Sequence, residues 1–188
     1  MEYNIYIKYS LEDIMFITKR IGAKSKDLKK IEKLYIEAFP ENERFSFSKM
    51  IKNESGNYET FGFYKDENFC GFAILLNSKD ISHILYIATL PELRGSGLGT
   101  KALAALRRIK KDMRIIVDIE RELLDCEENE LRRRRKNFYL RNGYEETDIR
   151  YRWQEESYEI LSSGGIVTKE DFGNFWKNLG INKNAKDE

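Results

Sequence analysis

The sequence predicts one mixed α/β domain of α+β type, a mostly antiparallel central sheet flanked by helices, and three observations predict it. Residues 58–64 and 69–76 are apolar, aromatic-rich runs separated only by Lys65-Asp66-Glu67-Asn68, the pattern of a β-hairpin. Residues 81–111 then read as strand, glycine-rich turn and helix in succession. The length, 188 residues, is that of a single domain large enough to bury a core.

Taken in order, Tyr3, Ile5, Ile7 and Tyr9 alternate with Asn4, Tyr6 and Lys8, a half-buried strand. Residues 11–21 are open between a helix led by Ser10 and Asp13 and a strand through Phe16-Ile17-Thr18, with strand preferred. After Ser25, the positions Leu28, Ile31, Leu34, Tyr35 and Ala38 mark an amphipathic helix that ends at Pro40. A polar loop through Glu41, Glu43 and Arg44 leads to a short helix over 47–51. The hairpin follows, and residues 77–80 turn the chain into the central strand, so that three antiparallel strands precede the glycine turn.

That central strand carries Ile84, Leu85, Tyr86 and Ile87, and it breaks at Leu90-Pro91. Beyond the turn, Leu98, Ala102, Ala105, Leu106, Ile109 and Met113 share one face of a helix at 3.6 periodicity. Between strand and helix lies Arg94-Gly95-Ser96-Gly97-Leu98-Gly99. Glycines at alternate positions put little bulk between the backbone and a visitor, the first-turn amides point at it, and the helix dipole adds positive character. Arg94 adds a full charge, so the pattern is an anion site suited to a diphosphate. It is not a P-loop, because Gly99 is followed by Thr100-Lys101 in the wrong order and spacing. Nor is it the dinucleotide fingerprint, because the glycines are spaced G-x-G-x-G.

What fits is R-x-x-G-x-G, read from Arg94 through Gly97 to Gly99. With it stands Asn137-Phe138-Tyr139-Leu140-Arg141-Asn142-Gly143-Tyr144, of the form F-Y-x-x-x-G-F/Y, and the two motifs occur in that order with a strand candidate between them. The chain thereby resembles the GNAT superfamily of acyl-CoA-dependent N-acetyltransferases over about residues 25–155. The resemblance implies the GNAT fold, its sheet splayed between the family's fourth and fifth strands where the pantetheine arm enters. It also implies acetyl-CoA as co-substrate, direct transfer to a primary amine in a ternary complex, and a small-molecule or peptide amine as acceptor.

The remaining elements follow the same logic. Residues 114–120, RIIVDIE, form a strand with Ile115, Val117 and Ile119 on one side and Ile116, Asp118 and Glu120 on the other. An acidic loop precedes a helix from Glu130 to Asn142, capped by Gly143. Ile149, Tyr151 and Trp153 alternate with Arg150 and Arg152 as a further strand, and residues 158–161 are expected to pair back on it. Thr168 and Asp171 have the spacing of a capping box ahead of Phe172, Phe175, Trp176 and Leu179, a terminal helix over about 168–180, with a frayed polar tail over 182–188.

Charge and composition narrow the function. Lys plus Arg number 33 against 32 acidic residues, so no global field draws the chain to nucleic acid or membrane. No apolar run approaches the roughly 20 residues that span a bilayer, and the N-terminus is unlike a signal peptide, so a cytoplasmic enzyme, monomer or homodimer, is expected. Two cysteines, Cys70 and Cys126, and one histidine, His83, suggest neither disulfide nor metal site.

The resemblance assigns the cofactor to Ile87, Ala88 and Thr89, in a main chain expected to stay unpaired from Ile87 to Leu90 where the strands splay, to bind pantetheine and to aim an N–H at the thioester oxygen, and to Arg94, Gly95, Ser96, Gly97, Leu98, Gly99 and Thr100 for the pyrophosphate. Tyr139 stands where the family's tyrosine protonates the leaving sulfur. Glu120 is the candidate base, with a structural ion pair as its other reading and His83 or water as rivals. In Arg132-Arg133-Arg134-Arg135-Lys136, Arg132 and Arg135 share the face of Tyr139 and are expected to meet phosphates or an acidic substrate, whereas Arg133 and Lys136 face solvent or pair with residues 127–130. Acidic Glu41, Glu43, Asp118 and Glu120 would favour a cationic acceptor if they lined one pocket. A non-catalytic acyl-CoA-binding domain would keep the glycine turn without needing Tyr139, and an RNA-binding module would rest on the arginine run.

Overall fold

The computed structural model describes residues 4–5, 16–123, 127–153, 155–180 and 186–187. The chain is a mixed α/β protein with a mostly antiparallel sheet and flanking helices, and it divides into two compact units. The first comprises Met1–Asn77 and Ile84–Arg108, the second Ser78–His83 and Ile109–Glu188.

In the first unit the strand order is β1 (Asn4–Ile5), β2 (Phe16–Ile21), β3 (Tyr58–Lys65), β4 (Asn68–Ser78) and β5 (Ile81–Thr89), whose first residues belong to the second unit. The preferred strand reading of 11–21 holds over Phe16–Ile21, and residues 11–15 lie outside the described residues, as does most of the expected strand over 3–9. β3 and β4 are joined by Asp66 and Glu67, both left-handed at φ +49° and +65°, a two-residue turn whose twist suits a hairpin. Helix α1 (Leu28–Ala38) stops before Pro40, and α2 (Phe47–Lys52) opens on the Ser46 side chain, which accepts the Lys49 N–H.

The core of this unit gathers Ile21, Ile31, Leu34, Tyr35, Met50, Phe72, Ile74 and Tyr86. Each such side chain contributes about 1.5–3 kcal/mol on burial. Tyr86 also fixes the segment between α1 and α2, its hydroxyl donating to Glu43 O and accepting from Phe45 N, each at 2.9 Å. Tyr35 completes the clasp by donating to Phe45 O at 2.8 Å. These three bonds brace the loop against the core.

Helix α3 (Leu98–Ile109) buries Leu98, Ala102, Leu103, Ala105 and Leu106. It ends before Met113, which the periodicity had placed on its face; Met113 instead sits in the turn that leads to β6, its N–H on Lys110 O at 2.9 Å.

In the second unit, β6 (Arg114–Glu120) pairs antiparallel with β8 (Glu156–Ser163), β8 with β7 (Glu145–Trp153), and β7 with β9 (Lys186–Asp187). β8 pairs back on β7 as expected and also lies beside β6, so the last long strand is inserted between its predecessors. Residues 181–185 of the tail lie outside the described residues. Helix α4 (Asn129–Arg141) closes at Gly143, left-handed at φ +78°. Helix α5 (Lys169–Asn178) begins with the complete capping box of Thr168 and Asp171. Arg114 ties this unit together, donating to Asp80 Oδ2 at 2.9 Å, to Ile166 O at 2.8 Å and to Asp171 Oδ2 at 2.7 Å. No helix among the described residues is long and apolar enough to cross a membrane.

Candidate active site

The glycine turn lies wholly in the first unit. After β5 the chain makes a single 3₁₀ turn, Pro91–Leu93, and then opens out. Gly95 and Gly97 have φ of +77° and +79°, a region L side chains rarely adopt, with Ser96 between them. Such alternation folds successive amides into a concave nest. Ser96 Oγ braces the turn by donating to Leu93 O at 2.6 Å. Lys101 N–H is on Gly97 O at 3.1 Å, so the amides just ahead of it are the ones a helix start leaves without a carbonyl.

No acidic residue occupies the first turn of α3, and nothing lies within 4 Å of where a side chain on Gly95 or Gly97 would begin. Arg94, Gly95, Ser96, Gly97 and Thr100 are exposed, Gly99 is half-buried, and Leu98 anchors the helix in the core. Arg94 has no ion-pair partner among the described residues, which leaves its charge to an incoming anion. Ile87, Ala88 and Thr89 are half-buried at the end of β5. The expectation that main-chain groups stay unpaired through Leu90 needs one correction, since Leu90 N–H is bonded to Cys70 O at 2.9 Å.

The candidate acid and base lie in the second unit. Tyr139 is 5% exposed, its ring edge-on to Phe138 and Tyr144 at 5.3 Å each. Burial holds its phenol well above the ordinary range, the Arg135 charge opposes this, and the carboxylates of Glu120 and Asp118 add to it. Tyr139 is thus neutral at physiological pH and carries a proton to give. Its hydroxyl makes no hydrogen bond to a described residue. Glu120 accepts from Arg135, one helical turn before Tyr139, so the ion-pair reading of Glu120 is realised and the three side chains share one neighbourhood.

Two residues, Tyr151 of β7 and His83 at the start of β5, extend this cluster through Asp118 of β6. Tyr151 donates its hydroxyl to Asp118 Oδ2. His83, 1% exposed, brings Nε2 to 2.9 Å from Asp118 Oδ1, close in distance but outside hydrogen-bond geometry. The rings of Phe175 and Trp176 cover the imidazole at 5.8 and 5.6 Å. The alternation of Tyr151 with Arg150 and Arg152 is the one sequence signal that pointed Tyr151 inward.

The basic run is neutralised along its length. Arg132, 9% exposed, forms a two-pronged pair with Glu156 at 3.0 Å and donates to Arg121 O, so it is engaged inside the protein instead of waiting for phosphates or an acidic substrate. Arg133 pairs with Glu122 at 2.6 Å and Lys136 with Glu146 and Glu159 at 2.9 and 3.0 Å, partners from outside the 127–130 stretch. Arg134 meets Glu130 at 3.9 Å. Among the described residues, no cluster of three or more His, Cys, Asp or Glu is arranged to hold a metal ion.

Comparison with known proteins agrees with this geometry. Residues 56–146 match the family model described as an acetyltransferase (GNAT) domain. No curated protein matches the chain. Among solved structures, a GNAT-family acetyltransferase from Bacteroides thetaiotaomicron is similar at 22% identity and a TM-score of 0.75, with 90% of this chain and 99% of that one covered. The ribosomal-protein-S18-alanine N-acetyltransferase of Escherichia coli is similar at 19% identity and 0.57, covering 81% and 97%. PaiA N-acetyltransferase of Thermoplasma acidophilum, in complex with coenzyme A, is similar at 17% and 0.56, covering 80% and 99%. The glycine turn, the Phe138-Tyr139 motif and the fold agree with that family model, which matches a GNAT acetyltransferase domain at residues 56–146.

Proposed function

We propose that the protein moves the acetyl group of acetyl-CoA onto a primary amine by direct attack within a ternary complex. The observation that carries the proposal is the exposed turn at Gly95 and Gly97, with its left-handed glycines, its helix start and an Arg94 that has no ion-pair partner among the described residues. Helix-start amides and that charge suit the pyrophosphate of CoA. Main-chain groups at Ile87, Ala88 and Thr89 hold the pantetheine arm and polarise the thioester carbonyl.

In the reaction the amine nitrogen attacks the carbonyl carbon, the C–N bond forms and the C–S bond breaks. The proton shed by the amine passes to Glu120, directly or through water, and the departing thiolate takes a proton from Tyr139. The acceptor is a small-molecule or peptide amine; the E. coli neighbour, named for an alanine of a ribosomal protein, and the N-acetyltransferase PaiA are consistent with an amine class. Because Glu120 is already paired with Arg135 and Asp118 with His83 and Tyr151, these carboxylates give little support to a cationic acceptor.

Calorimetric titration with acetyl-CoA tests the proposal, with wild type beside the double variant Arg94→Ala, Gly97→Glu. Saturable binding by wild type and none by the variant is expected. A wild type that does not bind would overturn both cofactor and activity.

A further inference from the structure

We infer that Gly71, on β4, is a positioning residue for acetyl-CoA: its missing side chain lets the end of β5 lean onto β4 and so sets the direction of the Thr89 main chain. The inference rests on the reading that the end of β5 binds the acyl-CoA, and it names which peptide group there faces the ligand.

Three observations meet at this point of the first unit. On one side of β4, Gly71 stands opposite Phe63 and Phe69 opposite Tyr64, so Cys70 is an extra residue that bulges from the ladder. On the other side, the Cys70 carbonyl accepts the Leu90 N–H at 2.9 Å, a bond made just past the end of β5. Between them β5 comes so close that a Cβ on Gly71 would lie 2.4 Å from Ala88 O and 3.1 Å from Thr89 Cα. The obstacle is backbone, so no rotamer change relieves it, and any residue but glycine at position 71 must push β5 away.

Successive residues of an extended chain turn their main-chain groups to opposite sides. With Leu90 N–H fixed on β4, the N–H and C=O of Thr89 point away from β4, and every peptide bond here is trans. Thr89 N–H is therefore the donor available to the thioester oxygen, and Leu90 N–H is not. Gly71 acts on this donor only through the lean of β5 and touches no ligand itself.

The test compares Gly71→Ala with Gly62→Ala. Gly62 lies on neighbouring β3, where the atoms nearest an added Cβ belong to the side chains of Tyr64 and Ile21, at 2.9–3.2 Å, and not to backbone. In the free protein, the Leu90 amide should exchange with solvent about tenfold or more faster in Gly71→Ala than in wild type or Gly62→Ala. At saturating acetyl-CoA carrying a ¹³C carbonyl, infrared difference spectra should show a lowered carbonyl stretch in wild type and Gly62→Ala that is lost in Gly71→Ala.

Should Gly71→Ala fail to fold, Leu90→Pro serves in its place. Leu90 has φ −53° and ψ 137°, within proline's range, so the substitution deletes the N–H bonded to Cys70 without imposing a new backbone shape. It too should lose the carbonyl shift. A lowered carbonyl stretch that survives both variants, or a Leu90 amide still protected in Gly71→Ala, overturns the inference. A wild type that binds no acetyl-CoA overturns the cofactor assignment beneath it, and the exchange measurement tells the two failures apart.

Discussion

Between Leu90 and Thr100 the protein offers a ligand its main chain, a run of amides around two left-handed glycines with one arginine beside them. Between Asp118 and Tyr151 it offers side chains, and most of these already hold one another: Glu120 with Arg135, Asp118 with Tyr151 and His83, Arg132 with Glu156. The first region needs no partner to be formed, because glycine geometry and a helix start create it locally. The second exists only after strands and helices distant in sequence have packed. A ligand site made of main chain tolerates almost any side chain that leaves it open, whereas a site made of ion pairs is broken by the loss of either partner.

The sharpest way to break this contrast is Tyr139→Phe. The hydroxyl makes no hydrogen bond to a described residue, so the fold loses nearly nothing, but the proposed acid is gone. Turnover should fall about a hundredfold with acetyl-CoA affinity unchanged. Turnover equal to wild type in single-turnover assays of CoA release would remove Tyr139 from the mechanism and leave the main-chain region as the sole contributor.

The ion-pair network separates next. Arg132→Met strips a buried, two-pronged partner from Glu156 and should cost about 2–3 kcal/mol in urea unfolding, somewhat less than a fully buried pair because Glu156 keeps some contact with water. Arg134→Ala, two residues on but solvent-exposed on both sides of its 3.9 Å contact, should cost less than about 0.5 kcal/mol. Equal losses in the two variants would mean that the run acts as one charged surface, the arrangement a nucleic-acid-binding face requires.

The two regions were also unequally legible in the sequence. The glycine turn could be read residue by residue, since Gly95 and Gly97 are demanded by backbone conformation, a local property. The hairpin and α5 were legible for the same reason: turn and cap residues act within four positions of themselves. What the sequence withheld was partnership. Nothing in the arginine run says that Arg132 meets Glu156 or that Lys136 reaches Glu159, because those carboxylates arrive on a strand, β8, inserted between β6 and β7. His83 likewise sits 35 positions from Asp118, and only the packing of the second unit, to which both belong, brings them together. The early end of α3 was hidden because Met113 continues the apolar period after the hydrogen bonds have stopped.

The smallest expected effect sharpens the comparison inside the second unit. Asp171 caps α5 through Thr168 and also receives Arg114, and the hydrogen bonds from Arg114 first, then from the Thr168 backbone, hold its carboxyl well below the usual range. A carboxyl with a depressed folded-state pKa stabilises the fold fully above its unfolded value, near 4, and loses that contribution as pH falls toward the folded value. Asp171→Asn should therefore weaken the protein by about 1 kcal/mol at pH 7, a figure kept small because the side chain is one-third exposed. The gap between wild type and variant should then narrow as thermal unfolding is followed from pH 5 down to pH 2. A gap that stays constant across that range would show that the cap acts by shape alone and that Arg114 gains nothing from the charge of Asp171.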